Sequence, residues 1–141
     1  MKVVMDTDTI VAALRSPSGA SAELLRRARR GELTLAASVS LFMEYEAVCR
    51  RPEHMEAAGL DAHQTGIFLD GLAHLIEPVE VHFLWRPQLR DPADELVLEA
   101  AVNASASALL TFDLKHFVSA AGRFDLSVSQ PGPFLRSLRN E

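Results

Sequence analysis

The sequence is poor in cysteine and has no long apolar run. Its one cysteine, Cys49, excludes an internal disulfide or a multi-cysteine zinc site, and we expect a buried thiol there. The five histidines, His116 included, show no metal-ligand spacing and are expected at the surface or in packing. No apolar run approaches the ~20 residues that span a bilayer, and the N-terminus lacks a basic segment followed by an apolar stretch. The sequence therefore predicts a cytoplasmic protein without a membrane partner.

A broad basic surface and an aromatic stacking platform, both typical of nucleic-acid-coating proteins, are also missing. The net charge is −5 and Trp85 is the one tryptophan. Twelve of the 14 basic residues are arginine, and four of them form an arginine stripe on one predicted helix: Arg26, Arg27, Arg29 and Arg30. The stripe suits contacts with RNA phosphates, and it equally suits a solvated helix end near the negative pole of the helix dipole.

What is present is the composition of an ordinary folded domain, with 48% hydrophobic and 23% charged residues among 141. This length predicts a single domain over residues 1–141 with a substantial core. Short apolar runs alternate with helical stretches, without repeats or linkers. The pattern predicts an α/β fold, a three-layer α/β/α sandwich around a central parallel sheet of four to five strands.

The expected elements follow from apolar periodicity and from helix start and stop signals. Strands are predicted near 2–6, 33–37, 77–83, 108–113 and 126–128, the third weakened by Pro78. Helices are predicted near 8–14, 20–30, 38–51, 62–75 and 92–103, with two more beginning at Leu114 and after Pro131-Gly132-Pro133. Ser38, Asp61 and Asp91 are the expected N-caps, and Pro52 is expected to stop the third helix.

Two of the apolar strands run directly into an aspartate, Asp6 in the first case and Asp113 in the second. The carboxyl ends of parallel strands face the crevice in which open α/β sheets bind ligands. Two carboxylates brought to one crevice repel each other, so a shared hard cation is the simplest reason for both. The alternative for each aspartate is helix capping, because each precedes a predicted helix; near the first one, Asp8 or Thr7 could also be the cap.

Further acids lie on two of the predicted helices. Glu44 borders the apolar face of its helix, so it either reaches into a cleft or is solvated. Asp91, Asp94 and Glu95 lie at one helix start, where the dipole favours acidic residues. Three acids exceed what capping requires, which makes this helix start a candidate source of a crevice carboxylate.

In order and context these residues resemble the PIN-domain nucleases, particularly the VapC-like toxins of bacterial type II toxin–antitoxin systems. The resemblance covers nearly the whole chain and rests on four motifs in sequence order. They are Val4-Met5-Asp6-Thr7, the helix from Ser38 to Glu44, Asp91-Pro92-Ala93-Asp94-Glu95 and Thr111-Phe112-Asp113, followed by a closing Pro131-Gly132-Pro133-Phe134-Leu135.

The resemblance implies a Mg²⁺- or Mn²⁺-dependent endoribonuclease that hydrolyses phosphodiester bonds of RNA. The implied catalytic and metal-binding residues are Asp6, Glu44, Asp94 and Asp113, with Asp8, Glu95 and Thr111 as accessory candidates. Asp94 is preferred to Glu95 because the apolar residues that follow it then form the buried face of the helix. The resemblance also implies a small cognate antitoxin that covers the acidic pocket, and a homodimer.

The chain departs from the family pattern at two positions, and two other functions stay open. Asp8 replaces a common asparagine, and Phe112 replaces a small or polar residue. Asp6 and Asp8 could instead be the nucleophile and acid–base of a haloacid-dehalogenase-like phosphatase, although neither Lys2 nor Lys115 is placed to bind its phosphate. A non-catalytic PIN-like binding scaffold is the other alternative.

Overall fold

The structure, a computed structural model, describes residues 1–82, 89 and 91–139, the last without its side chain. The strands of this described part are β1 (Lys2–Met5), β2 (Thr34–Ala37), β3 (Glu77–Pro78), β4 (Ala108–Leu110) and β5 (Ser127–Ser129). Its α-helices are α1 (Thr7–Arg15), α2 (Ala20–Arg29), α3 (Val39–Cys49), α4 (Pro52–Ala58), α5 (Ala62–Leu75), α6 (Pro92–Asn103), α7 (Leu114–Ala121) and α8 (Pro131–Arg139).

The strands form one parallel sheet in the order β3-β2-β1-β4-β5. From β1 the chain moves outward to β2 and β3, and then crosses back through α6 to β4 and β5 on the other side. The direction of the connections therefore reverses between β1 and β4. Ligands of such sheets bind at the carboxyl ends of the strands where this reversal occurs.

Both faces of the sheet are covered. Val3 and Val4 point to opposite faces because side chains alternate along a strand, and both are 0% exposed. Leu109 and Leu110 of β4 are equally buried. Full burial on both faces requires helices on each side, as parallel sheets generally have. The predicted α/β fold with a central parallel sheet is confirmed.

Most helix starts follow from the capping residues of the sequence. The Ser38 hydroxyl accepts a hydrogen bond from the backbone N–H of Leu41 at 3.1 Å. Asp61 and Gln64 form a reciprocal capping box at the start of α5, and Asp91 accepts from the N–H of Ala93 at 2.9 Å. Each such cap stabilises its helix by ~1 kcal/mol.

Four boundaries differ from the prediction, one of them that of the terminal helix, which begins at Pro131 and not after Pro133. Pro52 does not only follow α3; it is the first residue of α4, a position where proline is tolerated, and α4 ends at Gly59 with φ 71°. The strand predicted over 108–113 ends at Leu110, because the N–H of Asp113 bonds the Thr111 hydroxyl instead of a neighbouring strand. The strand predicted over 77–83 comprises Glu77–Pro78, and its predicted end at position 83 lies outside the described residues, as does Trp85.

Two expectations about composition can be compared with the fold. Cys49 is a buried free thiol, and burial raises its pKa to about 11, which leaves it unreactive at neutral pH. In the part of the chain that is described, no helix has both the length and the apolar character required to cross a bilayer.

Candidate metal centre

Asp6 occupies the junction between β1 and α1, and its side chain bonds to both sides of the crevice. Its Oδ1 accepts a hydrogen bond from the backbone N–H of Thr7 at 2.7 Å, so Asp6 is the N-cap of α1. Its Oδ2 accepts from the hydroxyl of Thr111 at 2.7 Å, at the end of β4. The capping role and a role in the crevice are therefore compatible in one residue that is 7% exposed.

The end of β1 is also held from α3. The hydroxyl of Tyr45 donates a hydrogen bond to the backbone carbonyl of Met5, the residue before Asp6. Tyr45 is 0% exposed, and burial raises the pKa of its phenol well above the ordinary value, with a further contribution from the charge of Asp6. The tyrosine is thus a neutral hydrogen-bond donor that fixes the strand end carrying Asp6.

Thr111 connects the two strand-end aspartates. Its hydroxyl donates to Asp6 and at the same time accepts from the backbone N–H of Asp113 at 2.9 Å. The side chain of Asp113 is exposed and makes no capping hydrogen bond to α7. The capping alternative therefore does not account for Asp113.

Asp8 lies on the first turn of α1 and faces the same crevice. Its Oδ2 accepts from the backbone N–H of Phe112 at 3.1 Å, whereas its Oδ1 is buried and has no hydrogen-bond partner. Because Asp6 caps α1, neither Asp8 nor Thr7 is the cap. Burial raises the pKa of the Asp8 carboxyl to about 7, and the charge of Asp6 adds to this shift.

Asp6, Asp8 and Asp113 form what we call the carboxylate cluster. One oxygen from each of the three lies within 4.8 Å of the others. Burial also raises the pKa of Asp6; the hydrogen bonds from Thr111 and Thr7 oppose this, and the charges of Asp94 and Asp113 reinforce it. Hard oxygen donors and an unpartnered buried oxygen fit a small divalent cation, which would neutralise the repulsion.

Asp94 lies on the first turn of α6, outside the carboxylate cluster but near enough for its charge to affect Asp6. It is 9% exposed, and its pKa is raised by burial and by Asp91. The opposing contribution comes from His116, whose Nδ1 lies 3.0 Å from Oδ2 of Asp94. The sequence did not single out His116, although it follows Asp113 at the i,i+3 spacing that places two side chains on one helix face.

Two other predicted acids are placed differently. Glu44 is half-buried and lines a pocket of about 820 Å³ together with Asp8 and Asp91, without joining the carboxylate cluster. The carboxylate of Glu95 accepts a hydrogen bond from the backbone N–H of Leu89. This hydrogen bond links Leu89 to the first turn of α6.

The arginine stripe is largely engaged with nearby glutamates. Arg26 and Arg30 each have a guanidinium nitrogen 3.6 Å from Glu23. Arg27 and Arg30 pair with Glu32 at 3.4 and 3.3 Å. Much of its positive charge is thus neutralised within α2 and the turn that follows it.

Comparisons with known proteins agree with this fold. The crystal structure of VapBC2 from Rickettsia felis, bound to a DNA fragment from their promoter, is similar in fold, with a TM-score of 0.59 and 17% sequence identity. The superposition covers 92% of this chain and 98% of that one. No curated protein sequence matches. Residues 2–115, most of the chain, match the model of the PIN domain, and the chain therefore belongs to the PIN domain family.

Proposed function

We propose that this protein is a Mg²⁺- or Mn²⁺-dependent endoribonuclease and the toxin of a toxin–antitoxin pair. The observation that carries the proposal is the carboxylate cluster, three acids within 4.8 Å of one another at the strand ends where the sheet connections reverse. Within the described part of the chain, no lysine, arginine or histidine forms an ion pair with any of the three acids. Such a concentration of uncompensated charge is destabilising unless a cation joins it. Members of the PIN domain family are nucleases, and a cluster of carboxylates is suited to the metal-dependent hydrolysis of phosphodiester bonds.

The proposed metal-binding and catalytic residues are Asp6, Asp113, Asp94 and Glu44, with Asp8 as an additional ligand. Held by these residues, Mg²⁺ or Mn²⁺ would supply the activation of a water molecule and the stabilisation of negative charge that phosphodiester hydrolysis requires. Asp6 is held in position by Thr111, and Asp94 by His116.

The partners are proposed on a different basis. The structural neighbour is a VapBC2 complex, and the likeness in fold extends over nearly the whole of both chains. We infer a small cognate antitoxin that covers the acidic pocket, a homodimer, and action in the cytoplasm on RNA. If a small reading frame adjoins the gene, its co-expression with this chain tests the pairing: we expect co-purification and restored growth. Growth arrest that the neighbour does not relieve would argue against the toxin role.

The phosphatase alternative is less well supported by the geometry. Lys2 begins β1, whereas Asp6 follows its end, and the Lys2 Nζ lies 2.7 Å from Glu77. This lysine therefore lies at the opposite edge of the sheet from the phosphate that it would have to bind. Membership of the PIN domain family favours the nuclease as well.

Replacing Asp6 by asparagine tests the site. Asparagine caps a helix as well as aspartate does, so Asp6→Asn keeps the cap of α1 while it removes one charge from the carboxylate cluster. Asp61→Asn is the matched control, since Asp61 also caps a helix but lies outside the cluster. With a fluorescent RNA and Mn²⁺, we expect cleavage by the wild type and the control, and loss of cleavage in Asp6→Asn.

Three outcomes would contradict the proposal in different ways. Undiminished cleavage by Asp6→Asn would show that the site is misassigned. Release of phosphate from small phosphomonoesters without RNA cleavage would favour the phosphatase. RNA binding without cleavage in either Mg²⁺ or Mn²⁺ would favour a binding scaffold.

A further inference from the structure

A pocket of about 820 Å³ adjoins the carboxylate cluster, and both acidic and basic side chains line it. Asp8, a member of the cluster, lines it together with Glu44 and Asp91. The basic side chains that line the same pocket come from the end of α1 and from the start of α4: Arg15, Arg51 and His54. We call this the arginine pocket. The basic and acidic side chains that line this pocket are neighbours, but among these described residues no ion pair joins the two kinds.

The two arginines of this pocket are unengaged. Arg15 and Arg51 are exposed, and their guanidinium groups form no ion pair or hydrogen bond within the part of the chain that the structure describes. The adjacent His54 has a buried Nδ1 without a hydrogen-bond partner. Arg15 lies in the last turn of α1, where its charge suits the helix dipole, but that role does not use the donors of the guanidinium.

An acidic cleavage site needs such cations if its substrate is a polyanion. The carboxylates repel the phosphates that flank the scissile bond, and a bound metal ion compensates only locally. Guanidinium groups bind phosphate oxygens through paired N–H donors, and free ones do so without first breaking an ion pair. A concave pocket also admits one nucleic-acid strand more readily than a double helix.

We propose that the arginine pocket binds the phosphodiester backbone of single-stranded RNA beside the scissile bond, with Arg15 and Arg51 contacting phosphates. This assignment rests on the proposed nuclease function and deepens it by locating the substrate. It also relocates the RNA contacts expected from the arginine stripe, whose guanidinium groups are mostly paired with glutamates.

The test compares two double variants that remove equal charge. Arg15→Gln with Arg51→Gln alters the arginine pocket, and Arg26→Gln with Arg30→Gln alters the stripe. Binding of a short fluorescein-labelled oligouridylate is followed by anisotropy in EDTA at several salt concentrations, so that no cleavage occurs. Each phosphate contact with a single strand contributes ~0.7 to the slope of log K against log salt, so we expect the pocket variant to lose about 1.4 of the slope and at least ~10-fold in affinity. We expect little change in the stripe variant.

A second measurement needs no substitution. Phenylglyoxal modifies accessible arginines, and peptide mapping of the wild-type protein shows which of them RNA protects. We expect oligouridylate to protect Arg15 and Arg51 but not Arg26 or Arg30. Equal protection of both pairs, or equal loss of affinity in both double variants, would overturn the assignment.

Failure of this inference can be separated from failure of the nuclease proposal. Mn²⁺ binding by calorimetry and RNA cleavage by the wild type test the nuclease alone. We expect the pocket variant to keep the Mn²⁺ affinity of the wild type. Cleavage and Mn²⁺ binding together with unchanged RNA affinity in the pocket variant would refute the arginine pocket and leave the nuclease in place.

Discussion

The carboxylate cluster and the arginine stripe are both groups of like charge, yet the fold treats them in opposite ways. Three of the four arginines of the stripe, Arg26, Arg27 and Arg30, are paired with glutamates of the same helix and the turn after it. The acids of the carboxylate cluster come from the junction after β1, from α1 and from the turn after β4, and no cationic side chain of the described residues forms an ion pair with them. Most of the charge of the stripe is thus compensated locally, whereas the carboxylate cluster has the chemistry of a site that a cation would complete.

The pKa values express the same difference. Burial raises the pKa of Asp6 and of Asp8, because the fold keeps their carboxylates from water without supplying positive charge. The pKa of Arg30 is instead raised by its hydrogen bond to Glu32, which stabilises the charged form. The absence of counter-charges in the fold is thus a better indicator of a binding site than the clustering of like charges in the sequence.

The largest expected effect is that of removing the second strand-end acid. Asp113→Asn removes a charge from the carboxylate cluster without breaking a cap, since Asp113 does not cap α7. We expect RNA cleavage to fall by at least ~100-fold, more than the loss typical of outer-shell changes at metal sites. Asp125→Asn is the control, because Asp125 has φ 53° and asparagine accepts that conformation. Comparable activity of both variants would contradict the role of the cluster.

A smaller effect is expected for the hydroxyl that joins the acids. Thr111→Val removes the hydrogen bond to Asp6 and leaves the N–H of Asp113 without its partner. Loss of such support typically costs ~10–100-fold in metal affinity or activity, and we expect cleavage to fall by about 10-fold. Thr65→Val serves as the control, since the buried Thr65 hydroxyl bonds only the backbone carbonyl of Asp61 in α5. Equal activity in the two valine variants would show that the Thr111 hydroxyl does not support the carboxylate cluster.

The carboxylate cluster, unlike the stripe, should make the stability of the metal-free protein depend on pH between 3.8 and about 7. The pKa of Asp8 is about 7 in the folded chain against 3.8 without the fold, so between these values the folded state binds the additional proton. The stability of the metal-free protein therefore falls as pH rises from 3.8 to about 7. Asp8→Asn should remove this contribution, so that thermal unfolding in EDTA gives a higher melting temperature than the wild type at pH 7 and a similar one near pH 4.

Addition of Mn²⁺ should reverse the order of the two proteins. A ligand that binds only the folded state stabilises it, and a cation at the carboxylate cluster gains more from aspartate than from asparagine. At pH 7 we expect Mn²⁺ to raise the melting temperature of the wild type more than that of Asp8→Asn. Parallel pH profiles in EDTA, or equal shifts with Mn²⁺, would count against a shared cation.

The smallest effect is expected from the stripe. Arg26→Gln with Arg30→Gln breaks exposed ion pairs, and such pairs contribute little to stability. We expect a nearly unchanged melting temperature and a cleavage rate close to that of the wild type. A large loss of cleavage would contradict the difference drawn between the stripe and the carboxylate cluster, and it would indicate that α2 binds RNA.

Local pattern was enough to predict the α/β fold, most element positions, and the caps Ser38, Asp61 and Asp91. Apolar periodicity and capping depend on residues within one or two turns of each other, which is why a sequence reveals them. The same reasoning placed Asp6 and Asp113 at strand ends that face one crevice. It could not show that Pro52 begins a helix of its own.

The tertiary structure decided which charged groups find partners. The oxygen of Asp8 bonds the N–H of Phe112, 104 residues away, and Thr111 reaches Asp6 across 105 residues. The tertiary structure also brings His116 within hydrogen-bond distance of Asp94, and it leaves Arg15 without an ion pair in the pocket that Asp8 lines. The charge of each group can be read from the sequence, but its compensation depends on contacts between distant segments, and these exist only once the sheet has formed.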